Sequence, residues 1–343
     1  LLLLGCAPAA PSPPPTAVPS PTPMAGAAPT VAPTATPAPT PTVVRRLKVV
    51  TTVAPLTNIV YNVGGPYIDL HGLIPEGADS HTFEPAPSDA KILAEADLIV
   101  LNGLHLEVPT EKLAEATKKP GAVILKLGDH TISRDEWIFD FSFPKEKGDP
   151  NPHLWMDPHY ARRYAELVRD ALSQLDPAHR EVYARHTARF AALLDQLDRA
   201  IRQAVATIPP EQRKLLTYHD SWAYFARRYG FTVIGAIQPA DFSEPSPREV
   251  AALIAQIRRE KVPAIFGSEV FPSKVLEQIG RETGVRYIDT LSDDTLPGGP
   301  DDPQHTYVGM MLENLRTMVA ALGGQVEAFK DIDPRNIPDR AEP

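Results

Sequence analysis

The chain has 343 residues, 43 % of them hydrophobic, and a formal net charge of −9. That is length for two domains with ordinary cores, and the acidic balance gives a nucleic-acid partner no electrostatic support. A single cysteine, Cys6, excludes disulfides, thiolate zinc sites and cysteine nucleophiles, and no apolar run approaches the ~20 residues that span a bilayer.

The opening stretch Leu1-Leu2-Leu3-Leu4-Gly5-Cys6 reads as the end of a signal peptide, residues 1–6. Its last four residues resemble a bacterial lipobox, which implies a lipid-modified Cys6 anchored to the membrane. Residues 7–44 are almost wholly Pro, Ala, Thr, Ser and Val. Such a segment cannot bury a core; at ~3.1 Å per residue a polyproline spacer of this size reaches roughly 100 Å. The folded region is expected to open with a strand at 47–53 (LKVVTTV), followed by strand-like runs at 68–74, 98–102 and 122–127. Helical runs fall between them, such as 88–96 with Ile92 and Leu93 on one face. Asp157-Pro158 is a helix start, cap then first-turn proline, and Tyr164, Leu167, Val168, Leu172 and Leu175 follow it.

Asp176-Pro177 repeats that signal. The helix behind it runs to about Ala206, with an apolar stripe of Phe190, Leu193, Leu194, Leu197, Ile201 and Val205. Close to thirty residues at 1.5 Å rise make about 45 Å, enough to connect two lobes. The second half repeats the alternation: strand 214–218, an Asp220-capped helix with Trp222, Phe225 and Tyr229 inward, and strand 231–237. A helix with the capping box Ser246-Pro247-Arg248-Glu249 follows, then strand 264–267, helix 273–283 ended by Gly284, strand 285–291 and a last helix over about 306–322. The expected fold is α/β: two lobes, each a mostly parallel sheet flanked by helices. The division is 45–177 for the first lobe, 178–208 for one long connecting helix, 209–330 for the second lobe and 331–343 for a tail.

Of ten histidines, three have local support as metal ligands. His81 lies in a polar turn after the run 68–74, and His153 between prolines in Asn151-Pro152-His153-Leu154-Trp155-Met156-Asp157-Pro158. His219 closes strand 214–218 immediately before a helix start. In open α/β sheets ligands bind beyond the carboxyl ends of strands, and imidazoles with a carboxylate make a first shell for zinc or a similar ion. The carboxylate is expected from Ser292-Asp293-Asp294-Thr295, where local chemistry does not choose between the two acids. Glu269, at the end of strand 264–267, is placed to ligate or to hydrogen-bond a ligand histidine. Glu84 and Asp157 are further candidates for that supporting role, Asp157 more naturally as a helix cap. His71 reads as structural within a strand. His105, His130, His159, His179, His186 and His305 are expected at the surface, with His105 and His130 following strands.

These stretches resemble the metal-specific solute-binding proteins of bacterial ABC importers, the zinc- and manganese-uptake family. The resemblance rests on His81-Thr82-Phe83-Glu84-Pro85, on Asn102-Gly103-Leu104-His105-Leu106-Glu107 and on His153-Leu154-Trp155-Met156-Asp157-Pro158. His219-Asp220-Ser221-Trp222, Ser243-Glu244-Pro245-Ser246 and Asp293-Asp294-Thr295-Leu296 complete it. It covers residues 47–322. It implies the interlobe cleft as the metal site, selects Asp294 over Asp293, and gives the ligand set His81, His153, His219 and Asp294. Manganese members usually carry Glu at the place of His219, and imidazole there favours Zn²⁺ over Mn²⁺; residues 131–150 lack the histidine-rich loop common in zinc members. The implied role is a monomeric extracytoplasmic receptor, not an enzyme, that hands its ion to a membrane permease driven by an ATPase. The rivals are a zinc hydrolase with Glu269 or Glu84 as general base, and a lipid-anchored adhesin.

Overall fold

Alternating side chains divide each sheet between two cores, and that division explains the architecture. The computed structural model describes residues 10–17, 45–269, 274–288 and 291–340, and residues from Arg45 onward form one compact unit. Cys6 and most of segment 7–44 lie outside the described residues; residues 10–17 are exposed and without regular secondary structure.

The first half runs β1 (Leu47–Thr51), α1 (Ala54–Gly64), β2 (Ile68–Gly72), α2 (Pro87–Glu95), β3 (Leu98–Leu101), α3 (Val108–Thr117) and β4 (Val123–Lys126). Its four strands pair in parallel in the order β2-β1-β3-β4. Two helices follow, α4 (Pro158–Leu175) and α5 (Arg180–Ala206). The second half runs β5 (Lys214–Thr217), α6 (Ala223–Tyr229), β6 (Thr232–Ala236), α7 (Pro247–Glu260), β7 (Ala264–Phe266), α8 (Lys274–Thr283), β8 (Arg286–Ile288) and α9 (Tyr307–Ala321). Its parallel order, β6-β5-β7-β8, repeats the first.

Successive residues of a strand face opposite sides. Val49, Leu98 and Val100 therefore point into a large central core, while Val50, Ile99 and Leu101 face a separate layer with Leu93 and Ala114 of α2 and α3. In the second sheet Leu215, Ala264 and Phe266 join the same central core, whereas Leu216 and Ile265 face Ile257, Leu276 and Ile279 of α7 and α8. The two sheets thus share one interior. Helix α5 runs through it, burying the whole stripe from Phe190 to Val205 and packing on α1, α4, α6 and α9. A shared, close-packed interior resists shear between halves.

Two expectations change. Asp220 does not cap α6: Trp222 occupies the cap position without a side-chain bond, and Asp220 Oδ2 instead accepts Ser142 N–H at 2.9 Å. The loop from the first half claims the carboxylate. The end of the chain also does not trail. Asn336 Oδ1 accepts from the Asn58 and Asn62 amides of α1 at 3.0 and 2.8 Å, and Ile337 N–H donates to Asn62 Oδ1 at 2.8 Å. The chain therefore returns to the first half after crossing it once through α5. Among the described residues no helix is long and apolar enough to cross a membrane.

Candidate metal site

The three expected histidines meet where the two halves face each other. Their Nε2 atoms lie 3.2 Å apart for His81 and His153, 3.3 Å for His81 and His219, and 2.9 Å for His153 and His219. A tetrahedral ion with metal–nitrogen bonds of ~2.0–2.1 Å holds its nitrogens roughly 3.3–3.4 Å apart. The cluster is close to that geometry.

Each ring is aimed by a different local device. At His81 an Asp-led turn turns the backbone: Asp79 Oδ1 accepts His81 N–H at 2.9 Å and Asp79 Oδ2 accepts the Thr82 hydroxyl at 2.8 Å. At His153, Asn151 Oδ1 accepts both the backbone N–H (3.1 Å) and ring Nδ1–H (2.8 Å). The Asn151 amide is fixed in turn, donating to Asp220 O at 2.6 Å and Asp140 Oδ2 at 3.1 Å. At His219, two residues past β5, Gln238 Oε1 accepts Nδ1–H at 2.7 Å. Placing the proton on Nδ1 leaves the Nε2 lone pair of His153 and of His219 for the centre. Burial, followed by the neighbouring His219, holds the His81 and His153 imidazoles well below their ordinary pKa, so both are neutral donors. His153 and His219 are 0 % and 4 % exposed; His81 is half-buried.

The carboxylates arrive on the turn between β8 and α9. Glu269 Oε1 accepts the N–H groups of Asp293, Asp294 and Thr295 at 3.1, 3.3 and 3.2 Å, and Trp155 Nε1–H donates to Asp293 O at 2.9 Å. Asp293 Oδ2 lies 3.5 Å from His219 Nε2. Asp294 Oδ2 accepts Ser80 N–H at 3.4 Å. One oxygen of each, Asp293 Oδ2 and Asp294 Oδ1, is buried without a hydrogen-bond partner. Burial, then the adjacent acids, pushes both carboxyl groups well above the usual range. Two orphaned acid oxygens, on a turn whose Asp293 Oδ2 lies 3.5 Å from His219 Nε2, are groups that a cation would complete. Among the described residues, the donor atoms that all lie within 4.8 Å of one another are those of His81, His153 and His219.

Aromatic rings close the remaining sides. Phe242 stacks on His81 at 4.5 Å and 16°, Phe143 lies 5.5 Å from His81, and Trp155 lies 5.0 Å from His153. The other named residues lie apart from this centre. Asp157 caps α4 by accepting His159 N–H at 2.9 Å and lies 3.3 Å from Arg228 Nε. Glu84 is exposed, as are His71, His130 and His159. Three histidines expected at the surface have partners instead. His186 is 6 % exposed with Nδ1 3.0 Å from Val63 O, His179 pairs with Asp176 at 2.6 Å, and His305 pairs with Glu76 at 3.0 Å. His105, exposed, pairs with Asp149. Asn151 and Gln238 orient two of the rings, a role that the sequence alone did not mark. Gln238 stands just beyond the strand expected at 231–237, the same positional signal that marks His219 after strand 214–218.

Two parallel sheets around a common core, with imidazoles converging between them, define a two-lobed metal-binding protein. A profile described as "ZnuA: Zinc-uptake complex component A periplasmic" matches residues 49–321, and the chain belongs to that family. It is 32 % identical over 280 residues to the zinc-binding protein TroA of Treponema pallidum, covering 80 % of this chain and 88 % of that one. It is 31 % identical over 280 residues to the iron-binding protein YfeA of Yersinia pestis, covering 81 % and 87 %. The solved structure of the Treponema protein superposes with a TM-score of 0.73 at 30 % identity, covering 81 % of this chain and 99 % of that one. A manganese-bound periplasmic metal-binding protein from Candidatus Liberibacter asiaticus gives a TM-score of 0.71 at 26 % identity, covering 81 % and 100 %. The family is one of periplasmic uptake components, not of enzymes.

Proposed function

We propose that the protein is the receptor of an ABC importer, capturing one divalent transition metal ion, Zn²⁺ in the first place, and passing it to a permease driven by an ATPase. The observation that carries this reading is the meeting of the His81, His153 and His219 Nε2 atoms within 3.3 Å of one another. Three imidazole nitrogens suit Zn²⁺ better than the harder Mn²⁺. The fourth donor is a carboxylate of the 293–294 turn. The family motif favours Asp294; the 3.5 Å approach to His219 favours Asp293. Replacing each with Asn and comparing affinities assigns it, since only the true ligand costs the larger loss.

In this proposal residues 45–177 and 209–330 are the two lobes and 178–208 the connector. Cys6 anchors a monomer to the membrane, and segment 7–44 is the stalk that raises its concentration near the permease. The test is a calorimetric titration of the metal-stripped chain with Zn²⁺ and Mn²⁺ in parallel, beside His219→Ala. The expected result is one site, tighter for Zn²⁺, lost in the variant. Tighter Mn²⁺ binding keeps the receptor and overturns the metal assignment; no stoichiometric binding of either ion overturns the receptor.

A further inference from the structure

Two loops lie side by side next to the imidazoles. One leaves β2 and ends in His81; the other carries Asp293 and Asp294 and leads into α9. Gly77 N–H donates to Thr295 Oγ1 at 3.2 Å and Ser80 N–H to Asp294 Oδ2 at 3.4 Å. Glu76 makes the remaining ties with both carboxylate oxygens. Its Oε2 accepts Leu296 N–H at 3.1 Å, and its Oε1 lies 3.0 Å from His305 Nε2. His305 is itself held, with Nδ1 3.3 Å from Pro297 O and its side chain 14 % exposed.

We propose that Glu76 is a positioning residue for metal retention: one carboxylate from the His81 loop grips the acid-bearing loop at Leu296 and His305 and so sets how fast the cleft lets its ion go. The inference rests on the receptor reading. Glu76 touches none of the candidate donors. It pins Leu296, two residues beyond Asp294, to the loop that ends five residues later in His81. An exposed ion pair has little effect on stability. Glu76 is itself 35 % exposed at its side chain, but it also accepts from a backbone N–H, faces a mostly enclosed imidazole, and joins two segments that are far apart in sequence. Its rupture frees a loop rather than a side chain. The ligands on the other side of the ion, His153 and His219, are held by amides within the interior and need no such tie.

The experiment is a stopped-flow chase of Zn²⁺ from the loaded full chain with a chelator, for the parent, Glu76→Ala, Glu76→Gln and the exposed control Glu313→Ala. Glu76→Ala is expected to release zinc about tenfold faster, ~1.4 kcal/mol, with association changed less than about twofold and the melting temperature of the stripped protein within about 2 °C of the parent. Glu76→Gln falls between, because its amide oxygen still accepts Leu296 N–H. Adding His305→Ala to Glu76→Ala brings little further change, since the two act as one contact. Release within twofold of the parent overturns the proposal. So does faster release that comes with a matching fall in the melting temperature of the stripped protein, because that is general loosening. A parent chain that binds no zinc overturns the receptor reading itself.

Discussion

The candidate site has a deep side and a loop side. On the deep side, His153 and His219 are 0 % and 4 % exposed, and each ring is locked through Nδ1 by a side-chain amide. His153 adjoins Leu154, Trp155 and Met156, all 0 % exposed in the shared core. On the loop side, His81 is half-buried and is held by an Asp79 turn and the face of Phe242, and the acids ride on a turn tied down by Glu269 and Glu76. Phe242 itself sits at φ +59°, in the left-handed region that bulky residues rarely adopt. The difference indicates how a receptor can be both selective and reversible. Imidazoles held by amides in the interior fix the geometry an ion must satisfy, and the loops tied by single hydrogen bonds such as Leu296 N–H to Glu76 are the part that can move to release it.

Substitutions on the two sides should break this comparison unequally. The largest effect is expected at the deep candidate donors: His153→Ala or His219→Ala removes an imidazole nitrogen from a rigid frame that cannot close over the gap, and zinc affinity should fall by more than about a hundredfold, beyond what loss of an outer hydrogen bond costs. The matching loop-side loss in His81→Ala should be smaller, because the loop can bring water or a neighbouring acid into its place. Equal losses at all three positions by competition titration would erase the distinction. Next come the amides. Asn151→Ala and Gln238→Ala leave the ligands in place but free their rings, and such outer groups typically change metal affinity by 10–100-fold. An effect below about twofold for both would mean the rings are held by packing alone. Smaller again is Phe242→Ala, which removes one aromatic contact of about 0.5–1.5 kcal/mol. It should speed zinc release roughly two- to tenfold in a chelator chase while leaving the deep side unaltered.

Acidification separates the imidazoles from the acids in the metal-stripped protein. His81 and His153 have lowered pKa values from burial and from His219. As pH falls below about 6.5 the unfolded chain takes up protons that the fold refuses, so stability drops. Asp293 and Asp294 have raised values from burial and their acidic neighbours. They take up protons in the fold before the unfolded chain does, so their contribution grows as pH falls towards about 4. Thermal melts across this range should therefore show a steeper acid loss for Asp293→Asn than for the parent and a shallower one for His153→Asn. Parallel curves for all three would contradict the assignment of these groups.

Much of this was legible in the chain. The strand-like runs at 47–53 and 98–102, the stripe of α5 and the Ser246–Glu249 box are local signals, and the structure follows them. The three histidines were legible because strand ends and flanking prolines mark them. What escaped depends on contacts between distant segments. Asp220 looked like a helix cap because it precedes a helix, but Ser142, remote in sequence, binds it. The last residues looked like a tail because they lack periodicity, yet Asn336 completes a polar cluster with Asn58 and Asn62. His305 looked like a surface residue because nothing beside it in sequence is a partner; Glu76 is. The Asp293–Asp294 ambiguity has the same root, since which oxygen faces the imidazoles depends on how Glu269 gathers the backbone of the turn.

The most direct test of the central claim is the X-ray absorption spectrum at the zinc edge of the chain loaded with one equivalent of Zn²⁺. The account predicts a four-coordinate ion with three imidazole scatterers, nitrogen at ~2.0–2.1 Å, and one oxygen, with one imidazole lost in His81→Ala. An ion with fewer than three imidazoles in the parent chain, or a spectrum unchanged by that substitution, would contradict it.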